Sequence, residues 1–136
     1  MSEKPVSFYV EKVTSRSVLV VDDDPQIQEL IKYFLEKENM IVHVCGDGFT
    51  ALDLLQTQRF DLMILDISMP GMDGFKTLSL IRKNPATANL RVLMLTSNKH
   101  ANDVIKATQY GVSDYIIKPS VREEILKRVE RALERW

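Results

Sequence analysis

The chain has 136 residues, 45% of them apolar and 27% charged, which is the composition of one folded domain and excludes a largely disordered chain. Because 18 basic residues are balanced by 19 acidic residues, no net charge draws the protein towards nucleic acid or a membrane surface. The single cysteine, Cys45, excludes an internal disulfide, and no apolar run approaches the roughly 20 residues of a membrane span, so we expect a cytoplasmic protein.

Residues 1–16 form an N-terminal arm ahead of the predicted domain, which we expect to cover residues 17–136. In this arm Val6, Phe8 and Val10 alternate with other residues in the period of a half-buried strand. The pattern leaves three alternatives open: an extra edge strand, a segment lying over the domain, or a disordered arm. The sequence therefore assigns no role to the arm.

Five short apolar runs, bounded too closely to be helices, predict five strands. They are Ser17–Val21, Ile41–Cys45, Leu62–Leu65, Arg91–Leu95 and Asp114–Ile117. The first run is apolar on both faces, which is typical of a central strand in a parallel sheet.

A helical pattern follows each predicted strand. Helices are expected over Pro25 to about Glu38, Phe49–Gln58, Asp73 to about Lys83, about Ala101–Tyr110, and Ser120–Trp136. Asp24 is the predicted N-cap of the first helix, Gly111 is predicted to end the fourth, and Ser120 with Glu123 forms a capping box for the last. Apolar stripes predict the buried faces of the first and last helices: Ile27, Leu30, Ile31, Phe34 and Leu35, and then Val121, Ile125, Val129, Ala132 and Trp136. Five strands alternating with five helices predict a doubly wound α/β fold around a parallel sheet.

Chemically complementary groups lie at the ends of four predicted strands, namely Asp22 with Asp23, Asp66, Thr96 and Lys118. Because the carboxyl ends of parallel strands share one edge of a sheet, we expect these groups to meet there. Crowded carboxylates repel one another, and hard oxygen ligands without His or Cys nearby suit Mg²⁺. A carboxylate nucleophile with Mg²⁺, a lysine and a hydroxyl predicts a site that accepts a phosphoryl group.

Each of these residues has a simpler explanation when it is taken alone. The aspartates are common turn residues, and Asp24 is better explained as a helix cap than as a ligand. Thr96 alone would bond the backbone, Lys118 alone would be a solvated surface residue, and Tyr115 alone would be a half-buried strand aromatic. Separate explanations of this kind do not account for the shared position of these residues at strand ends. We therefore favour the interpretation that they form one functional site.

The sequence resembles the response-regulator receiver domain of two-component signalling, of the chemotaxis-response-regulator type, over residues 17–136. The resemblance is carried by VVDDDP with Asp22 and Asp23, LDISMPGMDG from Asp66, LMLTS with Thr96, and DYIIKP with Lys118. It implies a flavodoxin-like five-stranded parallel sheet, in the strand order 2-1-3-4-5, with five helices. It also implies a signalling switch that catalyses only its own phosphoryl acceptance and hydrolysis, and not an enzyme.

By this resemblance, Asp66 accepts a phosphoryl group from a sensor histidine kinase or a histidine phosphotransfer protein. Asp22, Asp23, Asp66 and the backbone carbonyl of Ser68 are expected to hold Mg²⁺. Lys118 is expected to pair with Asp66 and then with the phosphoryl group. Thr96 and Tyr115 are the expected switch residues, the first binding a phosphoryl oxygen and the second rotating into the space that it leaves.

The resemblance places the output on the face formed by residues 101–136, where we expect binding of a downstream protein or homodimerisation. The final helix carries charges of both signs, which are equally typical of a solvated face and of a salt-bridged dimer contact. The balanced charge offers no stripe for direct contact with nucleic acid. We expect a stand-alone receiver, and the alternative is the receiver part of a longer regulator.

Three rival classes share parts of this pattern. A phosphatase of the haloacid-dehalogenase type would need a second aspartate where Ser68 stands. A flavin-binding protein would need a Gly-, Ser- or Thr-rich loop after the first strand, where residues 22–24 are aspartates. A degenerate receiver that binds partners without phosphorylation would lack an aspartate of the site or Lys118.

Overall fold

The computed structural model describes residues 15–97, 108–112, 114–118 and 121–134. Parts of the prediction lie outside the described residues: the N-terminal arm up to residue 14, residues 101–107 of the helix predicted over about Ala101–Tyr110, the capping residue Ser120 and the terminal Trp136.

Five strands form one parallel sheet, in the order β2-β1-β3-β4-β5. The strands are β1 Ser17–Val21, β2 Ile41–Cys45, β3 Leu62–Asp66, β4 Val92–Ser97 and β5 Asp114–Lys118. The helices in the described part of the chain are α1 Pro25–Glu36, α2 Gly48–Thr57, α3 Gly74–Lys83 and α4 Arg122–Glu134. The predicted flavodoxin-like fold and its strand order are confirmed, and the described residues contain four of the five predicted helices.

Three helices begin with an aspartate cap directly after a strand or its short loop. The side chain of Asp24 accepts a hydrogen bond from Gln26 N at 2.9 Å, so the predicted cap of α1 is confirmed. Asp47 and Asp73 cap α2 and α3 in the same way. Because each cap satisfies a free N–H of the first helical turn, it fixes where the chain turns from the sheet into the helix.

The sheet is covered on both faces, which explains why its central strands are apolar throughout. Alternate residues of β1 point to opposite sides: Val18 and Val20 pack with α1 and α4, whereas Leu19 and Val21 pack with α2 and α3. All four are fully buried. The two apolar layers hold the carboxyl edge of the sheet rigid, and the polar strand ends lie along that edge.

Among the described residues of the predicted apolar stripes, two are exposed. Leu30 on α1 is 42% exposed because Ile31 and Leu35 already fill the contact of that helix with the sheet. Val121 is 65% exposed because it precedes Arg122, the first residue of α4, and so falls outside the helical period. None of the described helices has the length and apolar character that crossing a membrane requires.

Candidate functional site

The polar residues predicted from the strand ends meet at the carboxyl edge of the sheet. Asp22 follows β1, Asp66 is the last residue of β3, Thr96 lies in β4, and Lys118 ends β5. Asp22, Asp66 and Thr96 are almost completely buried, whereas Asp23 is exposed. Strands β4 and β5 both run further than predicted, so Thr96 and Lys118 lie within the paired sheet rather than after it.

Lys118 joins the two buried carboxylates. Its Nζ lies 2.9 Å from Asp22 Oδ2 and 3.3 Å from Asp66 Oδ1. The other oxygen of Asp22 accepts a hydrogen bond from Asp24 N at 2.9 Å. Burial by itself would lower the pKa of Lys118, but the hydrogen bond to Asp22 and the charges of both carboxylates outweigh it and raise that pKa. Lys118 is therefore a firmly charged ammonium group at the centre of the site.

Asp66 is only partly satisfied by the protein around it. Its Oδ1 accepts a hydrogen bond from Ser68 N at 3.2 Å, but its buried Oδ2 accepts none from the residues that the structure describes. Burial, together with the negative charge of Asp22, raises the pKa of Asp66 to about 6, and Lys118 offsets these effects only in part. A buried carboxylate oxygen without a partner marks a position where a cation or a polar ligand would be stabilised.

The donor set fits a hard divalent cation. Carboxylate oxygens of Asp22, Asp23 and Asp66 lie within 4.8 Å of one another. One of these residues is exposed and two are buried, so the cluster is open to solvent on one side, as a cation that keeps some of its waters requires. Ser68, predicted as a fourth ligand through its carbonyl, is adjacent because its N–H bonds Asp66.

Gly74, at the start of α3, holds the loop that follows Asp66. Its N–H donates to Ile67 O at 2.9 Å, and an added Cβ would overlap the carbonyl oxygen of Asp66. Only glycine permits this close approach of two backbone segments. In the sequence, Gly74 was noted only as the last residue of the LDISMPGMDG motif, and no structural role was assigned to it. The signal that was missed is a glycine directly after the capping residue Asp73.

Arg128 on α4 contacts the predicted switch strand at several points. Its Nη1 donates to Asp114 Oδ1 at 2.6 Å and to Tyr115 O at 3.1 Å, and its Nε donates to Glu124 Oε2 at 2.6 Å. The guanidinium also lies over the ring of Tyr115, 5.4 Å from the ring centroid. The sequence predicted only a charged helix face here, because spacing alone does not tell which charge meets which strand.

This sheet edge, with its acidic cluster, lysine and hydroxyl, defines the class of protein. Residues 18–130 match the family described as the response regulator receiver domain, so the chain belongs to that family. Receiver domains are signalling switches that take phosphoryl groups from histidine kinases and act on downstream effectors.

The chain is similar to curated proteins of two different lengths. It is 36% identical over 118 residues to the DNA-binding response regulator MtrA of Mycolicibacterium smegmatis, covering 87% of this chain and 50% of that protein. It is 33% identical over 122 residues to an uncharacterized 14.6 kDa protein of Leptolyngbya boryana, covering 90% of this chain and 93% of that protein. The chain thus spans about half the length of MtrA and nearly the whole of the smaller relative.

Solved structures show the same fold. The chemotaxis response regulator CheY4 of Vibrio cholerae superposes with a TM-score of 0.82 at 30% identity, covering 88% of this chain and 99% of that one. The receiver domain of NtrX from Brucella abortus superposes with a TM-score of 0.82, also at 30% identity, and covers 88% of this chain and 99% of that domain.

Proposed function

We propose that the chain is a phosphorylation-activated switch in which Asp66 accepts a phosphoryl group from the phosphohistidine of a kinase or phosphotransfer protein. The observation that carries this proposal is the buried, unsatisfied Oδ2 of Asp66 beside Asp22 and Lys118. A structural aspartate at a strand end would have its oxygens bonded by the protein.

The proposed transfer requires an ionised nucleophile. With its pKa raised to about 6, Asp66 is largely a carboxylate near neutral pH and is a stronger base than an ordinary aspartate. One of its oxygens forms the new P–O bond while the P–N bond of the phosphohistidine breaks, and the imidazole nitrogen leaves with the bonding electron pair. Water later attacks the phosphorus, the P–O bond to Asp66 breaks, and inorganic phosphate leaves, which returns Asp66 to its carboxylate form.

The other residues neutralise the charge that arrives with the phosphoryl group. Mg²⁺ held by Asp22, Asp23, Asp66 and the Ser68 carbonyl would supply positive charge to the phosphoryl oxygens. Lys118, which shares its charge between two carboxylates, transfers one of its contacts to a phosphoryl oxygen. The positive charges of Mg²⁺ and Lys118 would thus offset the repulsion between the carboxylates and the incoming phosphoryl group.

We assign the switch to Thr96 and Tyr115. Thr96 lies on β4 directly beside β5, so a shift of its hydroxyl towards the phosphoryl group opens space next to Tyr115. Arg128 links the backbone of Tyr115 to α4, which supports an output on the face formed by residues 101–136. A downstream protein or a second copy of the chain binds that face.

Cys45 is a buried free thiol, which suits a reducing cytoplasm.

Intact-mass measurement after incubation with acetyl phosphate tests the proposal, with and without Mg²⁺. The expected result is one added phosphoryl group, which requires Mg²⁺ and is absent in Asp66→Asn. Asp53→Asn is a matched control, because Asp53 is an exposed aspartate on α2. A folded, Mg²⁺-binding protein that never gains a phosphoryl group would contradict the proposal and favour a receiver that binds partners without phosphorylation.

A further inference from the structure

Arg82, near the end of α3, donates hydrogen bonds to four backbone carbonyls. Its Nε lies 2.7 Å from Tyr110 O, its Nη1 lies 3.0 Å from Ala88 O and 2.7 Å from Leu90 O, and its Nη2 lies 3.3 Å from Gly111 O. Burial of the guanidinium lowers its pKa, and no carboxylate in the described part of the chain offsets that effect. Arg82 is half-buried and has no counter-ion there, so its charge depends on these hydrogen bonds to replace the water that burial removes, and the bonds tie the four carbonyls to α3.

The four carbonyls belong to the two segments that lead into β4 and β5. Gly111 ends the second segment with a positive φ of 71°, and its N–H bonds Thr108 O at 3.1 Å. Carbonyls at such a chain reversal point away from the turn, and a cation there satisfies them. One side chain therefore ties together the segments that precede two neighbouring strands, and these strands carry Thr96 and Tyr115.

The other end of α3 rests on the loop of the phosphoacceptor. Gly74 bonds Ile67 O and approaches the carbonyl of Asp66 too closely for any side chain. The helix has 10 residues, which corresponds to a rigid rod of about 15 Å. It is thus in direct contact with the backbone of Asp66 at one end and, through Arg82, with the segments that precede β4 and β5 at the other.

We propose that Arg82 is a positioning residue that couples the Asp66 loop to residues 108–112 and 114–118. Its bonds keep the segments that precede β4 and β5 fixed to α3, so that a change at Asp66 displaces Thr96 and Tyr115 against an anchored frame. The coupling rests on the proposed phosphoryl switch, whereas the anchoring of residues 108–118 does not.

Hydrogen exchange of the full chain, read by mass spectrometry, tests the anchoring without phosphodonor or Mg²⁺. In Arg82→Gln the amides of residues 108–118 should exchange at least about tenfold faster, while those of β1 and β3 stay within about twofold. Arg82→Lys keeps the charge but cannot reach four carbonyls, so its exchange rates should lie between those of Arg82→Gln and those of the unaltered chain. Lys83→Gln is the matched control, since Lys83 is the exposed next residue of the same helix.

The same variants with acetyl phosphate and Mg²⁺ test the coupling. We expect Arg82→Gln to accept the phosphoryl group to within about twofold of the unaltered chain. Its residues 108–118 should lose the change in exchange that phosphorylation produces in the unaltered chain.

Faster exchange throughout the sheet would show that Arg82 only stabilises the whole fold, and unchanged exchange at residues 108–118 would show that it anchors nothing; either result overturns the proposal. Retention of the full phosphorylation response in Arg82→Gln overturns the coupling. An unaltered chain that accepts no phosphoryl group defeats the proposed function instead, and the exchange without phosphodonor still decides the anchoring.

Discussion

Replacing Asp66 by asparagine removes a carboxylate that folding makes harder to ionise. Asp66 is 2% exposed and lies beside the charge of Asp22, with Lys118 as its partial compensation. The asparagine side chain has nearly the same volume and carries no charge. We therefore expect Asp66→Asn to be more stable than the unaltered chain in buffer that contains no Mg²⁺.

The size of the effect follows from the raised pKa of Asp66. The carboxyl ionises at about 6 in the folded protein, against an ordinary value of 3.8, so the folded protein binds its proton more tightly than the unfolded chain. The free energy of unfolding accordingly falls as pH rises from about 4 to about 6 and stays lower above that range. A difference of about two pH units corresponds to about 3 kcal/mol, so we expect a gain of about 1 to 3 kcal/mol near neutral pH.

Urea unfolding followed by far-ultraviolet circular dichroism measures this gain, at about pH 7.5 and at about pH 4. The difference in free energy of unfolding between Asp66→Asn and the unaltered chain should be large at the higher pH and nearly vanish at the lower one. Asp53→Asn, at an exposed position, should change neither value. Lower stability of Asp66→Asn at about pH 7.5 would refute the reasoning, because it would mean that Lys118 outweighs both burial and Asp22.

Three further substitutions or reactions probe the same architecture. Gly74→Ala should lower the free energy of unfolding by about 1 to 3 kcal/mol in urea titrations and slow phosphorylation of Asp66, because the added Cβ would overlap the carbonyl oxygen of Asp66. Gly46→Ala is the control and should have little effect, because its added Cβ would be 3.6 Å from the nearest neighbouring atom. Lys118→Gln should lower the free energy of unfolding by about 2 kcal/mol without Mg²⁺, which is less than breaking a wholly buried ion pair would cost. Mg²⁺ should restore part of this free energy in the same titration. An unchanged midpoint would contradict the pairing. Burial raises the pKa of Cys45 to about 11, so a thiol reagent should modify it at least about tenfold more slowly in the folded protein than in urea; equal rates would show that the thiol is accessible.

The sequence alone was sufficient to locate the strands and most helix starts. Short apolar runs bounded by polar residues predict strands such as Leu62–Leu65, which the structure extends by one residue to Asp66, because a strand buried on both faces needs no polar positions. Asp24 was identifiable as a cap since the capping bond spans only two residues. The order of chemical groups along the chain also indicated a common edge, because parallel strands bring their carboxyl ends together. Leu30 was misplaced because the helical period alone does not say how wide the buried stripe is, and Val121 was misplaced because the last helix begins one residue after it.

Only the tertiary structure decided which groups at that edge contact one another and how their pKa values shift. The contact between Lys118 and Asp22 joins residues 96 positions apart, and its length depends on how β5 lies relative to β1. The raised pKa of Asp66 depends on burial, which the neighbouring strands and the α3 loop create together. Arg82 is an ordinary helix arginine in the sequence and becomes a half-buried donor to four carbonyls only when two distant segments fold against it. Patterns in sequence report local geometry, whereas electrostatic environment and hydrogen-bond partners are set by what the completed fold brings within a few ångströms.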